Sequence, residues 1–391
     1  MSDQRPLIPM VLPQVDDPDA IAAQLAGVLR SGRLTNGGPF AESFEEAIAA
    51  FLGVEEAVVV SNGAVAISLA IEAAAVPRGK AILPAFTFIA TLNAAVHAGF
   101  EPVFCDIDPE TWTMDPEHLR RLLASHGATL VLPVNVFGVP PDLAGVARQA
   151  RAAGAAVIYD NAHGMGTEAA SREAEALLTA TTYSLHATKV LVAAEGGVVV
   201  APDRAVSAAM RRLRNHGLAQ PLTASVPGMN AKIDELRAAL ALASLRRLPE
   251  ALARRRTYLE RLRGALSRHP HVYCAQRVPP GVRPNGQNLG VRLVDAPIDD
   301  AIAAFARRGV EARRYFYPPL HELSCLPPAG VALPHTDRLC AGQVCLPLHG
   351  RMSEETLERI EAAIHGVAEE LEAPRLAARP ARQARLDADA T

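Results

Sequence analysis

Apolar residues follow two different spacings in the first half of the chain. A spacing of three to four residues is typical of amphipathic helices, and it occurs at 18–30, 42–52, about 64–75 and about 90–98. Short apolar runs of strand length occur at 57–60, 81–83, 103–106, 130–134, 156–159, 181–184 and 198–201. Strands that alternate with helices predict βαβ units. The sequence therefore predicts an α/β fold with a mainly parallel sheet covered by helices on both faces.

The pattern changes after residue 232. A helical periodicity rich in alanine, leucine and arginine runs from about 233 to 266 and predicts a long helix that links two domains. From about 270 to 372, strand-like and helical runs mix, which favours a small α+β domain. The runs are 289–293 for a strand and 298–307 and 354–371 for helices.

We therefore predict a large α/β domain over 1–245, a small α+β domain over 246–373 and a tail over 374–391. The tail is rich in alanine, arginine and aspartate and has no apolar stripe, so we expect it to be disordered. The sequence shows no internal repeat.

Composition narrows the possible functions. The chain has 391 residues, of which 49% are hydrophobic, and this is enough for a large core. No uninterrupted apolar run reaches about 18 residues, so we expect no membrane span. A formal net charge of −3 provides no basic field for nucleic acid. The first residues lack the basic and then apolar order of a signal peptide, which favours a cytoplasmic protein.

The cysteine pattern points to reduced thiols. The five cysteines are Cys105, Cys274, Cys325, Cys340 and Cys345. An odd number without a C-x-x-C pair argues against a disulfide framework and against a structural zinc site. We expect free, mostly buried thiols and no metal centre.

Lysine is rare in this chain. Lys80, Lys189 and Lys232 are its only lysines, in a sequence rich in arginine. Arginine cannot be deprotonated in a protein, so it cannot act as an amine nucleophile. Lys189 ends the Ser/His/Thr-rich segment 184–189 and lies between two strand-like runs. This position favours a lysine that forms a Schiff base, and the alternative is a surface lysine.

Further candidates lie where predicted strands end, which is where open α/β sheets bind ligands. Gly63 begins a helix whose N-terminus suits a phosphate, or simply forms a turn. Asp160 could be a buried anion held by a cation, or a helix cap. His163 could share its crevice or pack in the core, and Ser184 could reach the same anion as Gly63. The segment 228–232 could join them or serve as a loop and cap.

One cofactor, pyridoxal phosphate, explains these features together. It needs a lysine for its aldehyde, an acid for its ring nitrogen, a flat group over its ring and donors for its phosphate. Only the protonated ring is a strong electron sink, and a nearby carboxylate favours that protonation by about 1–3 pKa units. The candidates for these roles, in the same order, are Lys189, Asp160, His163 and the set Gly63, Ala64 and Ser184.

Ordered motifs extend this picture from about residue 8 to about residue 364. They are 31–37, 61–64, 84–91, 99–106, 160–163, 184–189, 195–197, 215–217, Asn230 and 317–321. With these motifs the chain resembles the DegT/StrS group of sugar aminotransferases, in fold-type I of the pyridoxal phosphate enzymes. The resemblance implies a large domain with a mainly parallel seven-stranded sheet flanked by helices, and a small C-terminal α+β domain.

The resemblance also implies residue roles. Lys189 matches the lysine that bonds to the cofactor, Asp160 the ring-nitrogen partner and His163 the stacking group. Asn230 matches a residue that reaches the phosphate of the neighbouring subunit, which implies a homodimer. The remaining matches are Gly63, Ala64 and Ser184 for the phosphate, Phe88 near the substrate side, and Arg314, Tyr317 and His321 at the substrate pocket.

One position departs from the family pattern. Ala64 stands where the family commonly has threonine. The backbone N–H remains, but one hydroxyl donor is lost. A neutral hydrogen bond is worth about 0.5–1.5 kcal/mol, so we expect weaker cofactor retention without loss of binding.

The resemblance implies amino transfer from L-glutamate, or less often L-glutamine, to a keto-sugar. The acceptor would be a 3- or 4-keto-deoxyhexose carried on dTDP, UDP or GDP, or alternatively an inosose-type cyclitol. Two other interpretations are a dehydratase, which Lys189 argues against, and a non-catalytic regulator that binds pyridoxal phosphate. Arginines that could clamp a diphosphate, or simply be solvated, are Arg211, Arg212, Arg214, Arg313 and Arg314.

Overall fold

The computed structural model describes residues 6–13, 15, 17–169, 172–219, 223–325, 327 and 330–388. The helices are α1 (Pro18–Ser31), α2 (Pro39–Leu52), α3 (Gly63–Ala74), α4 (Ile89–His97), α5 (Pro116–His126), α6 (Leu143–Ala152), α7 (Arg172–Glu175), α8 (Arg204–Arg214), α9 (Glu235–Ser267), α10 (Ile298–Arg307), α11 (Pro334–Gly342) and α12 (Glu354–Ala388). The strands are β1 (Val58–Val60), β2 (Lys80–Pro84), β3 (Glu101–Cys105), β4 (Leu130–Val131), β5 (Ala156–Asp160), β6 (Ala180–Ser184), β7 (Gly197–Val200), β8 (Leu218–Ala219), β9 (Thr223–Ala224), β10 (Tyr273–Ala275), β11 (Leu289–Leu293) and β12 (Gln343–Leu346).

The large sheet has seven strands in the order β1-β7-β6-β5-β4-β2-β3. Strands β2 to β6 are paired in parallel, and β7 is antiparallel to both of its neighbours. Successive residues of β2 face opposite helical layers. Ala81 and Leu83 pack with α3 and α4, and Ile82 packs with α5 and α6. The predicted mainly parallel sheet between two layers of helices is confirmed.

One strand is shorter than predicted. The apolar run at 130–134 forms β4 only over Leu130–Val131, and Val134 then makes a single bridge to Asp160. Pro133 interrupts the ladder because proline has no N–H to donate. Its carbonyl still accepts the N–H of Asp160 at 2.9 Å, so the chain stays beside the end of β5.

The second sheet is antiparallel, with the order β10-β11-β12. It lies over a separate core that includes Phe305 of α10 and Ile360 of α12. Helix α9 belongs to both cores: Leu252 packs with the large sheet and Leu259 with the small one. The helix therefore runs without a break through residues 245 and 246. The domain boundary predicted at this point stays a prediction.

The backbone of α12 continues as a helix through the first part of the tail, as far as Ala388. The expected disorder from Pro374 onward stays a prediction. Alanine and arginine are the commonest residues of this segment and have high helix propensity. Residues 389–391 lie outside the described residues.

Two expectations about the whole chain can be compared with the structure. All five cysteines are free. Among the described residues, none of the helices combines the length and the apolar character needed to span a bilayer.

A buried carboxylate joins α9 to the start of α2. Glu235 is 1% exposed, and its oxygens accept the N–H groups of Phe40 and Ala41, each at 2.9 Å. These are the first N–H groups of α2, because Pro39 has none, and helix starts lack internal acceptors. A Cβ on Gly38 would lie 2.4 Å from the Glu235 carboxyl carbon, so the turn requires glycine.

We predict that Glu235→Ala lowers the free energy of unfolding by about 2 kcal/mol, because two N–H groups lose a charged acceptor. Urea unfolding of the purified protein measures the change. Glu46→Ala, at an exposed position on α2, is the control and should keep the wild-type midpoint. Equal midpoints for the two variants would contradict the prediction.

Candidate active site

A cavity of about 540 Å³ lies where β5 and β6 end. This edge of an open α/β sheet is the usual position of a ligand site. The sequence-predicted residues that line the cavity are Gly63, Ala64, Phe88, Asp160, His163, Ser184 and Lys189. The structure thus brings together residues that are up to about 130 positions apart in the chain.

Asp160 is the last residue of β5 and is 4% exposed. Its Oδ2 accepts the hydroxyl of Thr91 at 2.6 Å, and its Oδ1 accepts the N–H of Ala162 at 3.1 Å. Burial raises the pKa of Asp160, while the two hydrogen bonds and the charge of Lys189 lower it. The carboxylate is therefore fixed in position by two hydrogen bonds that, with the charge of Lys189, partly offset the effect of its burial.

Lys189 lies in the loop between β6 and β7, and its N–H donates to the carbonyl of His186 at 2.9 Å. Within the described residues, its ammonium has no hydrogen-bond or ion-pair partner. Desolvation lowers the pKa of Lys189 to about 8, and the charge of Asp160 limits this decrease. A substantial fraction of the amine is therefore neutral near physiological pH, as a nucleophile or base requires.

His163 presents a flat, neutral ring to the cavity. Its Nδ1 accepts the N–H of Phe137 at 3.2 Å, which assigns the proton of the neutral ring to Nε2. Burial, with a smaller effect of Lys189, holds the pKa of His163 well below its usual range. The ring lies nearly parallel to Phe137 and Phe316, with interplanar angles of 20° and 19°.

The first turn of α3 faces Ser184 across a narrow gap. Asn62 caps the helix by accepting the N–H of Val65 at 2.9 Å, so the N–H groups of Gly63 and Ala64 remain free of the helix. Ser184 Oγ accepts the N–H of His186 at 3.3 Å, so its own proton is available for another acceptor. A Cβ on Gly63 would lie 2.7 Å from Ser184 Cβ. These donors and the helix dipole form a site for an anion such as phosphate.

Four sequence-predicted residues do not line this cavity. Asn230 is exposed, and its Oδ1 accepts a hydrogen bond from Lys232 at 2.8 Å. The guanidinium of Arg314 lies 3.2 Å from the ring centroid of Tyr317, and His321 pairs with Asp337. Their predicted roles stay predictions. Tyr315 and Phe316, beside two of them in sequence, line the cavity instead.

Three of the five arginines considered for a diphosphate clamp have other partners. Arg211 and Arg214 both pair with the carboxylate of Glu45. Arg313 pairs with Glu311. The first two pairs connect α8 to α2, and the third lies within the small domain. These three arginines therefore no longer support the hypothesis of a diphosphate clamp.

Several side chains at the cavity had no predicted role. Thr91 donates a hydrogen bond that fixes Asp160. His186 and Glu195 lie 3.6 Å apart in the cavity wall. Gln287 accepts the N–H of Val190 and so holds the loop that carries Lys189, which we call the lysine loop. Thr91 belongs to the recognised motif 84–91, which is a signal for its importance but not for its partner. Gln287 lies in an irregular segment before β11 and carries no periodic or motif signal.

Comparison with known proteins identifies the family. Residues 16–365 match the DegT/DnrJ/EryC1/StrS aminotransferase family, and the chain therefore belongs to it. The predictions of this fold and of a transaminase are thereby confirmed.

Three relatives illustrate the similarity. The Escherichia coli dTDP-4-amino-4,6-dideoxy-D-glucose transaminase is 27% identical over 92% of this chain and 98% of its own. A crystal structure of DesI in the presence of its TDP-sugar product has a TM-score of 0.86 and 31% identity, over 97% of this chain and 96% of its own. A pleiotropic regulatory protein of Geobacillus stearothermophilus is 30% identical over 84% of this chain and 89% of its own.

We predict that Thr91→Val raises the pKa of Asp160 further, because the carboxylate loses a short hydrogen bond that lowers this pKa. When the pH is lowered, the variant should therefore lose the activity that requires the ionised acid at a higher pH than the wild type does. The pH dependence of kcat/KM for amino transfer measures this acid limb.

The matched control for this prediction is Thr182→Val, which removes a buried hydroxyl that donates to the Tyr159 carbonyl and not to Asp160. It should leave the acid limb in place. If the limb moves equally in both variants, Asp160 is not the group that the limb reports.

Proposed function

We propose that this protein is a pyridoxal phosphate-dependent aminotransferase that moves an amino group from L-glutamate, or L-glutamine, to a keto-sugar. The observation that carries the proposal is that a partly neutral lysine and a buried carboxylate, Lys189 and Asp160, face one cavity with a flat neutral imidazole between their loops. Few cofactors need these three groups together.

The shape and chemistry of the cavity fit this cofactor. A Cβ on residue 63 would clash with Ser184, so the close approach of the first turn of α3 to the Ser184 hydroxyl depends on glycine. The N–H groups of Gly63 and Ala64 and the Ser184 hydroxyl would hold the phosphate. Asp160 would accept a hydrogen bond from the ring nitrogen, and His163 would stack on the ring.

Bound pyridoxal phosphate would supply an electron sink that makes the Cα–H bond of the amino donor acidic. Asp160 keeps the ring nitrogen protonated, because its fixed carboxylate favours a neighbouring positive charge. Lys189 would provide the amine that anchors the cofactor and, once the amine of the donor has displaced it, would remove the proton from the donor Cα in its neutral form. The desolvation that lowers its pKa to about 8 makes this role possible near neutral pH.

We propose a nucleotide-linked 3- or 4-keto-deoxyhexose as the acceptor. The names of the transaminase and of the DesI complex refer to sugars carried on dTDP or TDP, and these proteins match nearly the whole chain. An inosose-type cyclitol is the alternative acceptor. The two differ in the nucleotide, so a competition assay with free dTDP separates them.

We also propose a homodimer with its active sites at the interface. Asn230 is exposed and does not line the cavity of its own chain. Its proposed phosphate contact therefore requires a second copy. Size-exclusion chromatography with light scattering tests the assembly.

A non-catalytic regulator is the second candidate function, because one relative of 30% identity bears the name of a regulatory protein. Such a role does not require a lysine and an acid in one cavity. The presence of both Lys189 and Asp160 therefore favours the enzyme.

We predict that L-glutamate converts the visible absorbance of the pyridoxal phosphate-loaded protein into the near-ultraviolet absorbance of the pyridoxamine form. Lys189→Ala should abolish turnover and the visible band, because neither Lys80 nor Lys232 lines the cavity. Lys80→Ala, a lysine on β2 that pairs with Glu101, is the control and should behave as wild type. Wild-type protein that responds to no amino donor would favour the regulator.

We predict that covalent attachment of pyridoxal phosphate to the apoprotein becomes faster as the pH rises and levels off above about 8. The reason is that the neutral amine of Lys189 is the nucleophile and its pKa is about 8. Stopped-flow absorbance measures the rate. A midpoint near the ordinary lysine value, above about 10, would show that the amine is not desolvated.

A further inference from the structure

Two buried side-chain amides lie in the irregular segment that precedes β11. Asn285 is 0% exposed and Gln287 is 5% exposed. The N–H of Gln287 donates to Asn285 Oδ1 at 2.9 Å, so the two residues form one hydrogen-bonded unit. Their remaining amide atoms bond to the loops that carry His163 and Lys189.

Gln287 holds both peptide groups that join Lys189 to the chain. Its Nε2 donates to the carbonyl of Thr188 at 2.9 Å, and its Oε1 accepts the N–H of Val190 at 3.2 Å. The orientation of these two peptide groups determines the direction of the Cα–Cβ bond between them. One side-chain amide thus determines where the lysine side chain starts.

Asn285 makes the corresponding contacts on the other loop. Its Nδ2 donates to the carbonyls of His163 and Met165, at 2.7 and 2.9 Å. Its side chain also fits against Gly138, where a Cβ would lie 2.4 Å from its Oδ1. The unit therefore connects the stacking histidine to the lysine through three consecutive residues of the chain.

We propose that Gln287, supported by Asn285, is a positioning residue for amino transfer, an inference that rests on the proposed function of Lys189. Although Gln287 lines the cavity, both polar atoms of its side chain are bonded to backbone, so it acts through the lysine loop. A proton-transfer group that is misplaced by about 1 Å can lose a factor of about 100 in rate.

The same geometry couples the lysine loop to the small domain. Gln287 lies two positions before Leu289, the first residue of the central strand of the small sheet. A displacement of that sheet would move the amide and, with it, the two peptide groups around Lys189. The small domain thereby takes part in placing the amine.

The test uses Gln287→Met, which keeps the length of the side chain and removes both hydrogen bonds. The matched control is Gln276→Met. Gln276 is 3% exposed and its Nε2 donates to two carbonyls, of Thr111 and Val136, neither of which lines the cavity. The two variants therefore lose comparable buried hydrogen bonds at different distances from Lys189.

We expect Gln287→Met to lower kcat by about tenfold while KM for glutamate changes by less than about threefold. The visible circular dichroism of the bound cofactor, which reports how the ring is held, should also change. Gln276→Met should lower thermal stability to a similar degree but keep both properties. Equal kcat and circular dichroism in the two variants would overturn the proposal.

A second variant keeps the test valid if Gln287→Met does not fold. Gln287→Glu can still accept the N–H of Val190 but places negative charge near Lys189. We expect the pH at which the visible band titrates to rise, since a negative charge favours the protonated form, and an unchanged titration would overturn the proposal. Wild-type protein that never acquires the visible band would instead contradict the proposed function.

Discussion

Burial acts with opposite sign on two groups that face the same cavity, and the chemistry of the protein depends on this opposition. It raises the pKa of Asp160 and lowers that of Lys189, and the charge of each group limits the shift of the other. The hydroxyl of Thr91 and the N–H of Ala162 add to the stability of the carboxylate. The result is a buried acid, held by hydrogen bonds and by the charge of Lys189 against the effect of desolvation, beside an amine that is easily made neutral.

The register of one strand places the anion site beside these groups. Gly197, the first residue of β7, pairs with Val60 on one side and with Ser184 on the other. The turn that follows Val60 and the hydroxyl of Ser184 are thereby brought to the same edge of the sheet. A Cβ at Gly197 would lie 2.4 Å from the Asn62 carbonyl, so this close approach depends on glycine.

The sequence was sufficient for features that depend on local pattern. Strands β5 and β6, the start of α3, and the convergence of Asp160, Ser184 and Gly63 follow from periodicity and from the rule that parallel strands end at one edge. It was not sufficient for contacts between distant segments. Nothing in the spacing pairs Thr91 with Asp160 or Gln287 with the lysine loop, and the arginines of α8 gave no sign of Glu45 as their partner.

Helix α9 has a mechanical consequence. One helix is embedded in two hydrophobic cores, so the two cores share a structural element. Its first residue also holds the start of α2 through Glu235. The helix continues through Pro249, which has no N–H to donate, so bending between the two cores would concentrate at this residue.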